Sequence, residues 1–462
     1  MNKIRLYLEV VPLPLLLGAM VGAVVVFLLI PAKYRMPAAL SLMMIWLTLG
    51  EMVDLGRIQA LAKLTGFAMY GLVAVTAWLD PAPRRRTPPL AWMYLALAAL
   101  AFIFISTVRD FAVALAIRVQ WMIMVVAVLS VSRTIVDEAS LQRVIRAITF
   151  GLAVALLVPL SALVLHPNQS FHGLGRFFPY GTNANHIGVL FAMAGPLTLY
   201  WAIRTRILFL KPVLIGFTAM AVGMGLLTAS RSTMIVMIGA SFPLVVTLTR
   251  RPVLTAVAGL ILAGSIAWMF GFGGNVQLER FKSLETGRVE IGKRYLQIIA
   301  ERPFLGLLET EGESFLRSEF TGQMHAHNGY LETLYFGGIV YGIPMFFMVG
   351  YTGLCAFRSW KNRRMIVADR LLINLLTAFM VMTFAHGFVN HALYYPTTTL
   401  AFFHILLSVF FMGLVVDLRR GGYGLCPAGE EDRDWSYAEF DEQYLADDAI
   451  EPAAPITPGD PH

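Results

Sequence analysis

Cysteine is nearly missing from this chain. Its 462 residues hold two, Cys355 and Cys426, which excludes a disulfide framework and a cysteine-based metal cluster. Charge is also scarce, at 14% of residues against 57% hydrophobic. Soluble domains carry about 25% charged residues, so an ordinary water-soluble domain is excluded. Acidic residues are almost absent from the apolar runs, which argues against a proton-coupled carrier built on membrane carboxylates. The one D-x-D, Asp432 and Asp434, lies near the C-terminus. A metal-binding carboxylate pair is not evident elsewhere, and no metal and no cofactor are expected. No cleavable signal is visible, because the first apolar run lacks a small-residue cleavage site and more runs follow it. Nothing in the chain points to a nucleic-acid partner.

What is present is a series of long apolar stretches. They run roughly over 9–31, 36–55, 59–79, 89–107, 111–132, 142–165, 184–203, 207–228, 231–249, 252–271, 328–356, 369–389 and 396–417. Most approach or exceed the ~20 residues that cross a bilayer as a helix. Transmembrane β-strands would show ten-residue alternation instead. The expected fold is an all-α polytopic integral membrane protein. One early segment is expected not to cross, leaving about twelve transmembrane helices, because Lys3 and Arg5 conflict with the side obtained by counting back from Arg84.

Orientation follows the basic clusters. Of 36 basic and 29 acidic residues, eleven acidic and one basic fall from Glu430 onward, so the body keeps 35 against 18, a balance of +17. Arg84 to Arg86, Arg133 with Arg143 and Arg146, Arg204 with Arg206 and Lys211, Arg250 and Arg251, Arg358 to Arg364, and Arg419 with Arg420 recur at every second connection. The positive-inside rule puts these in the cytoplasm. Connections 108–110, 166–183, 229–231, 272–327 and 390–395 then face outward. The expected organisation is 1–271, N-terminal transmembrane helices; 272–327, a large outer loop; 328–420, C-terminal transmembrane helices; and 421–462, an acidic cytoplasmic tail of disordered composition.

The outer loop is long, about 55 residues, and loops of that length in a compact protein usually serve a function. Apolar Val289, Ile291, Tyr295, Leu296, Ile298 and Ile299, interleaved with Lys293, Arg294, Glu301 and Arg302, predict a helix at the membrane surface that Pro303 ends.

Three polar constellations stand out. Outward connections should be poor in arginine, yet they hold Arg176, Arg231 and Arg288, besides Lys293 and Arg294. A guanidinium is a planar fork suited to phosphate oxygens, and a helix N-terminus adds positive potential. One reading is a site for an anionic, phosphorylated ligand; the other is pairing with Glu285 and Glu290 or with lipid phosphates. The second constellation is residues 325–338, HAHNGYLETLYFGG. His327 falls just before a helix predicted to begin near Asn328, where the positive helix end keeps an imidazole neutral and able to accept a proton. The alternative is a capping or hydrogen-bonding histidine at the interface, with His325 shaping the loop beside it. Gly337, Gly338 and Gly342 read as close-packing sites on the same helix. Zinc would need more ligands; His172, His386 and His391 are candidates, but no pattern draws them together. The third is residues 172–185, HGLGRFFPYGTNAN, a tight loop in which Asn183 and Asn185 can cap the next helix. Phe177, Phe178 and Tyr180 suit an interfacial aromatic belt.

Taken in order, LLTASRSTM at 226–234, GRVEIGKRYLQIIAERPFLG at 287–306 and HAHNGYLETLYFGGIVYG at 325–342 resemble the O-antigen ligase and O-antigen polymerase superfamily of bacterial inner membranes. The resemblance covers about 170–350, with the 173–188 region a weaker match; residues 1–165 and the tail carry no recognisable motif. It implies glycosyl transfer of the GT-C type at the periplasmic face. The donor would be a glycan on undecaprenyl pyrophosphate, the acceptor lipid A–core, and membrane lipids the surroundings. It implies His327 as the catalytic base and Arg231 and Arg288, with Arg176, as donor-pyrophosphate ligands, supported by Asn328 and His325. A polymerase or a protein O-oligosaccharyltransferase would share the donor, and a flippase for a lipid-linked anion would share the site without the chemistry.

Overall fold

The computed structural model describes residues 11, 13–103, 105–108, 111–172, 176–248, 288–308, 328–366, 369–388 and 398–419. These are overwhelmingly helical. The N-terminal helices are α1 (Leu13–Leu29), α2 (Ala32–Gly50), α3 (Arg57–Trp78), α4 (Trp92–Leu100), α5 (Phe111–Thr134), α6 (Glu138–Leu165), α7 (Ala184–Arg204), α8 (Leu210–Leu227) and α9 (Arg231–Leu248). The loop contributes α10 (Arg288–Glu301), and the C-terminal part α11 (Gly329–Lys361), α12 (Arg370–Gly387) and α13 (Thr399–Arg419). Eight of the described helices are long and apolar enough to cross a membrane, namely α3, α5, α6, α7, α8, α11, α12 and α13. The chain is an all-α, multi-pass membrane protein. The expected segment 252–271 and the tail 421–462 lie outside the described residues.

Helix starts follow local chemistry. Asp137 and Ser140 form a reciprocal capping box at α6. Asp369 caps α12 by accepting from Leu372 N at 3.2 Å. Helices α7 and α13 are buried along most of their length, whereas α8 leaves more of its surface outward. A helix apolar all round belongs either inside a bundle or against lipid, and the packing sorts these sequences into the two roles.

The connections separate into two ends. At one end Arg85 pairs with Asp417 and its amide donates to Arg133 O at 2.8 Å. Arg204 Nε reaches Asp369 Oδ2 at 2.8 Å, and the Asp369 amide donates to Glu138 at 3.2 Å. At the other end Glu51 meets Lys63 and His186, Arg176 meets the 228–231 turn, and Arg118 meets Leu308. Among the described residues, the connections holding Arg85, Arg133 and Arg204 thus share one end, and Arg176, the 228–231 turn and Leu308 lie at the other.

The long run read as one continuous span from 328 is interrupted. Gly337 (φ −129°, ψ 15°) and Gly338 (φ 55°, ψ −152°) leave helical geometry inside α11. The loop segment 303–308 fills the break. Leu307 N and Leu308 N donate to Tyr335 O and Phe336 O at 2.8 and 2.7 Å, while Ile339 N and Val340 N donate to Pro303 O and Phe304 O at 2.8 and 3.1 Å. Backbone groups freed by the break are therefore repaired by the turns of the inserted segment, as polar groups at membrane depth require. Gly306 (φ 60°) faces the Tyr335 carbonyl and Gly338 faces the Phe304 carbonyl so closely that a Cβ on either would collide. Gly337 and Gly338 thus break the helix, which the sequence does not suggest, while Gly338, against the 303–304 backbone, and Gly342, against Leu334, are close-packing sites.

Candidate functional site

The site is assembled from helix starts at the end opposite the Arg-rich one. Helix α9 begins at Arg231. Its cap is Ser230, whose Oγ accepts from Thr233 N at 3.4 Å and lies 3.1 Å from Ser232 Oγ. Ala229 immediately before it holds φ 47°, a left-handed conformation costly for a residue with a Cβ. Such strain persists only where surroundings impose it, and it clusters at functional sites. Arg176 supplies part of that constraint. Its Nε donates to Thr228 O at 3.0 Å and its terminal nitrogen to Asn185 Oδ1 at 3.0 Å. Arg176 itself is held by a two-residue hairpin, with Phe171 paired to Phe177 and His172 to Arg176.

The second start is α10, which begins at Arg288. Ile291 and Tyr295 bury against Tyr335, with Leu331 alongside. The Tyr295 and Tyr335 rings lie 4.8 Å apart, and Gly292 approaches Leu331. Residue numbers rise together along the two helices, so α10 and the first part of α11 run parallel and their N-termini share an end. The third start is α11 itself, where Asn328 accepts from Tyr330 N at 3.0 Å and Leu331 N at 3.1 Å.

The end of α12 joins the first start to the third. Tyr330 Oη donates to Phe384 O at 2.9 Å, and its ring meets Phe388 at 4.5 Å. His386, fully buried, turns toward the Ser232 backbone and His186; among the described residues neither ring nitrogen makes a hydrogen bond of good geometry. Helices α7 and α9 touch closely where Gly188 faces Thr233.

Two groups here, Glu51 with its partners and Arg118, are not singled out by the sequence. Glu51 lies in the connection between α2 and α3, with Lys63 Nζ at 2.5 Å and His186 Nδ1 at 3.1 Å. Burial alone would raise its carboxyl; the Lys63 ammonium and the His186 hydrogen bond outweigh burial and hold it well below the usual carboxylate range. A small cavity beside Glu51 and His186 is also lined by Thr398 and Thr399. Arg118, wholly buried in α5, donates to Leu308 O at 2.6 Å and lies 5.7 Å from the Phe336 ring. It therefore pins the inserted loop segment. An acid near the end of one apolar run and an arginine inside another are the signals that could have found them.

The expected site residues are distributed as follows. Arg231 and Arg288 are the first residues of α9 and α10, and Asn328 caps α11. His325, His327 and His391 lie outside the described residues. Asn183 caps α7 as expected, while Asn185 instead accepts from Arg176. Phe177 does not join an aromatic belt. It is fully buried and packs on Phe191 and Phe171, because the hairpin turns this side chain inward. Tyr180 bonds Ser161 Oγ at 2.8 Å. Among the described residues no three His, Cys, Asp or Glu side chains are grouped to hold a metal ion.

No curated protein matches the chain. Residues 215–346 match the family model described as O-antigen ligase. That segment runs from α8 through Arg231 and Arg288 to the repaired break in α11, and so contains all three helix starts. Over that segment the chain is similar to the O-antigen ligase family.

Proposed function

We propose that this protein is an inverting, metal-independent glycosyltransferase. It would move a glycan from undecaprenyl pyrophosphate to a sugar hydroxyl of lipid A–core at the periplasmic face of the inner membrane. The observation that carries the reading is the convergence of the α9, α10 and α11 starts at one end of the bundle, inside the matched family segment. Three helix N-termini and the arginines that open two of them make a region of positive potential suited to a pyrophosphate.

In this mechanism Arg231 and Arg288 bind the donor pyrophosphate and neutralise the charge that develops as its bond to the anomeric carbon breaks. Arg176 adds charge nearby and holds the 228–231 turn in its strained shape. The acceptor hydroxyl attacks the opposite face of the anomeric carbon, and its proton passes to His327, one residue before the Asn328 cap. His325 and Asn328 support that histidine. Pyrophosphate leaves as a stable anion, so no strong general acid is needed, and the arginines supply the charge a metal would otherwise bring.

The test is transfer from lipid-linked glycan to lipid A–core by the purified protein. His327→Ala is expected to lower the rate about 10²–10⁴-fold, the usual worth of a general base. Arg231→Lys and Arg288→Lys are expected to impair turnover because Lys lacks the planar fork, and chelator is expected to leave activity intact. Full activity in the His327→Ala protein removes the base. Long lipid-linked chains without transfer to core make the protein a polymerase, transfer to a protein hydroxyl makes it a protein O-oligosaccharyltransferase, and movement across the bilayer with no covalent product makes it a flippase.

A further inference from the structure

At the Arg-rich end, far from the helix starts just described, a cleft of about 580 Å³ opens between α6, α7 and α8. Its walls and its rim differ in kind. Phe150, Val213 and Phe217 line it, and Phe150 remains 62% exposed. Arg146, Arg206 and Lys211 stand around it. The acids nearby are already engaged. Asp369 is taken by Arg204 and Tyr200, at 2.8 and 2.5 Å, and Glu138 accepts from Gln142 and the Asp369 amide. Arg146 stacks over Trp201 at 4.8 Å. Among the described residues none of Arg146, Arg206 and Lys211 makes an ion pair. Among the described residues the cleft therefore presents three positive charges without an ion-pair partner above an apolar wall.

We propose that this cleft binds an anionic phospholipid of the leaflet at the Arg-rich end, with its phosphodiester between Arg146, Arg206 and Lys211 and an acyl chain along Phe150, Val213 and Phe217. Charge complementarity selects the headgroup, since guanidinium and ammonium donors suit phosphate oxygens. The apolar wall selects a lipid over a soluble anion, which would leave Phe150 and Val213 uncovered. The volume lies within the range of ordinary ligand sites, about 300–1,000 Å³. The Lys/Arg bias assigns this end to the cytoplasmic side, so the lipid is separate from any substrate handled at the other end.

Native mass spectrometry of the full chain in detergent tests the proposal with phosphatidylglycerol and phosphatidylcholine of identical chains as probes. The protein is expected to retain phosphatidylglycerol at least tenfold more strongly. The triple variant Arg146→Gln, Arg206→Gln, Lys211→Gln is expected to lose that preference, whereas Lys361→Gln, at the same end but outside the cleft, keeps it. Arg206→Gln alone, an exposed connection residue, is expected to weaken retention partly and guards against a misfolded triple variant. Equal retention of the two lipids, or a triple variant that binds like the parent, overturns the proposal. Displacement of phosphatidylglycerol by low-millimolar inorganic phosphate overturns it in favour of a soluble anion.

Discussion

Glu51 keeps 24% of its side chain exposed, with an ammonium on one side and an imidazole on the other. A carboxyl held below its ordinary value of 4.5 stabilises the fold fully above that value, and the contribution fades as pH falls toward the lowered one. Glu51→Gln is therefore expected to unfold at a lower temperature than the parent at pH 7, by an amount reflecting roughly 1–3 kcal/mol. The deficit should shrink progressively below pH 4.5 in a thermal scan in detergent. An equal deficit at pH 4 and pH 7 would mean that shape, not charge, is what Glu51 supplies. At this scale the sequence was legible where a residue broke a rule of its surroundings. Arg231 and Arg288 were visible as arginines in connections expected to face outward, and both open helices. Glu51 was hidden because it closes a stretch that reads as one apolar span, and its partners lie 12 and 135 residues away. Phe177 misled for a related reason: hydropathy near a helix end does not say which way a hairpin turns its side chains.

The pairing between segment 303–308 and α11 is the element-scale device of this protein. Four backbone hydrogen bonds cross it, and Arg118 fastens it from α5. Gly338→Ala and Gly306→Ala must each place a Cβ in the left-handed region, at about 1–2 kcal/mol, and against a facing carbonyl as well. Each is expected to cut glycan transfer at least tenfold and to render the loop sensitive to limited proteolysis, while the helix content measured by circular dichroism stays within a few per cent. Arg118→Ala is expected to produce the same proteolytic sensitivity with the glycines intact; a loop as resistant as the parent's would show that the arginine plays no part in holding it. Helix α10 was readable from its apolar spacing and Pro303, and the start of α11 from Asn328. The break was not, because a glycine pair fits helix packing as well as helix interruption, and the segment that repairs it sits some 30 residues upstream.

For the whole molecule, the alternation of basic clusters along the chain became a spatial fact: Arg85, Arg133, Arg204 and Asp417 gather at one end, Glu51, Arg176 and Arg118 at the other. Sidedness itself is open to direct measurement. In a background carrying Cys355→Ala and Cys426→Ala, Glu301→Cys is expected to react with a membrane-impermeant maleimide added to cells with a permeabilised outer membrane. Lys361→Cys is expected to react only after the inner membrane is opened. The opposite pattern would invert the molecule and move the proposed chemistry to the cytoplasm. The number of crossings was less legible than their order, because α1 and α2 are separated by only two residues and carry conflicting charge signals.

The inserted segment also constrains how the protein is made. Residues 303–308 leave the ribosome before α11, yet α11 cannot complete its backbone pairing around Gly337 and Gly338 without them. If 272–327 must cross the bilayer first, then export of a loop becomes a prerequisite for the folding of a helix that follows it. Delay in that translocation step would strand the C-terminal half with unpaired backbone at membrane depth, the condition that membrane quality control is suited to detect.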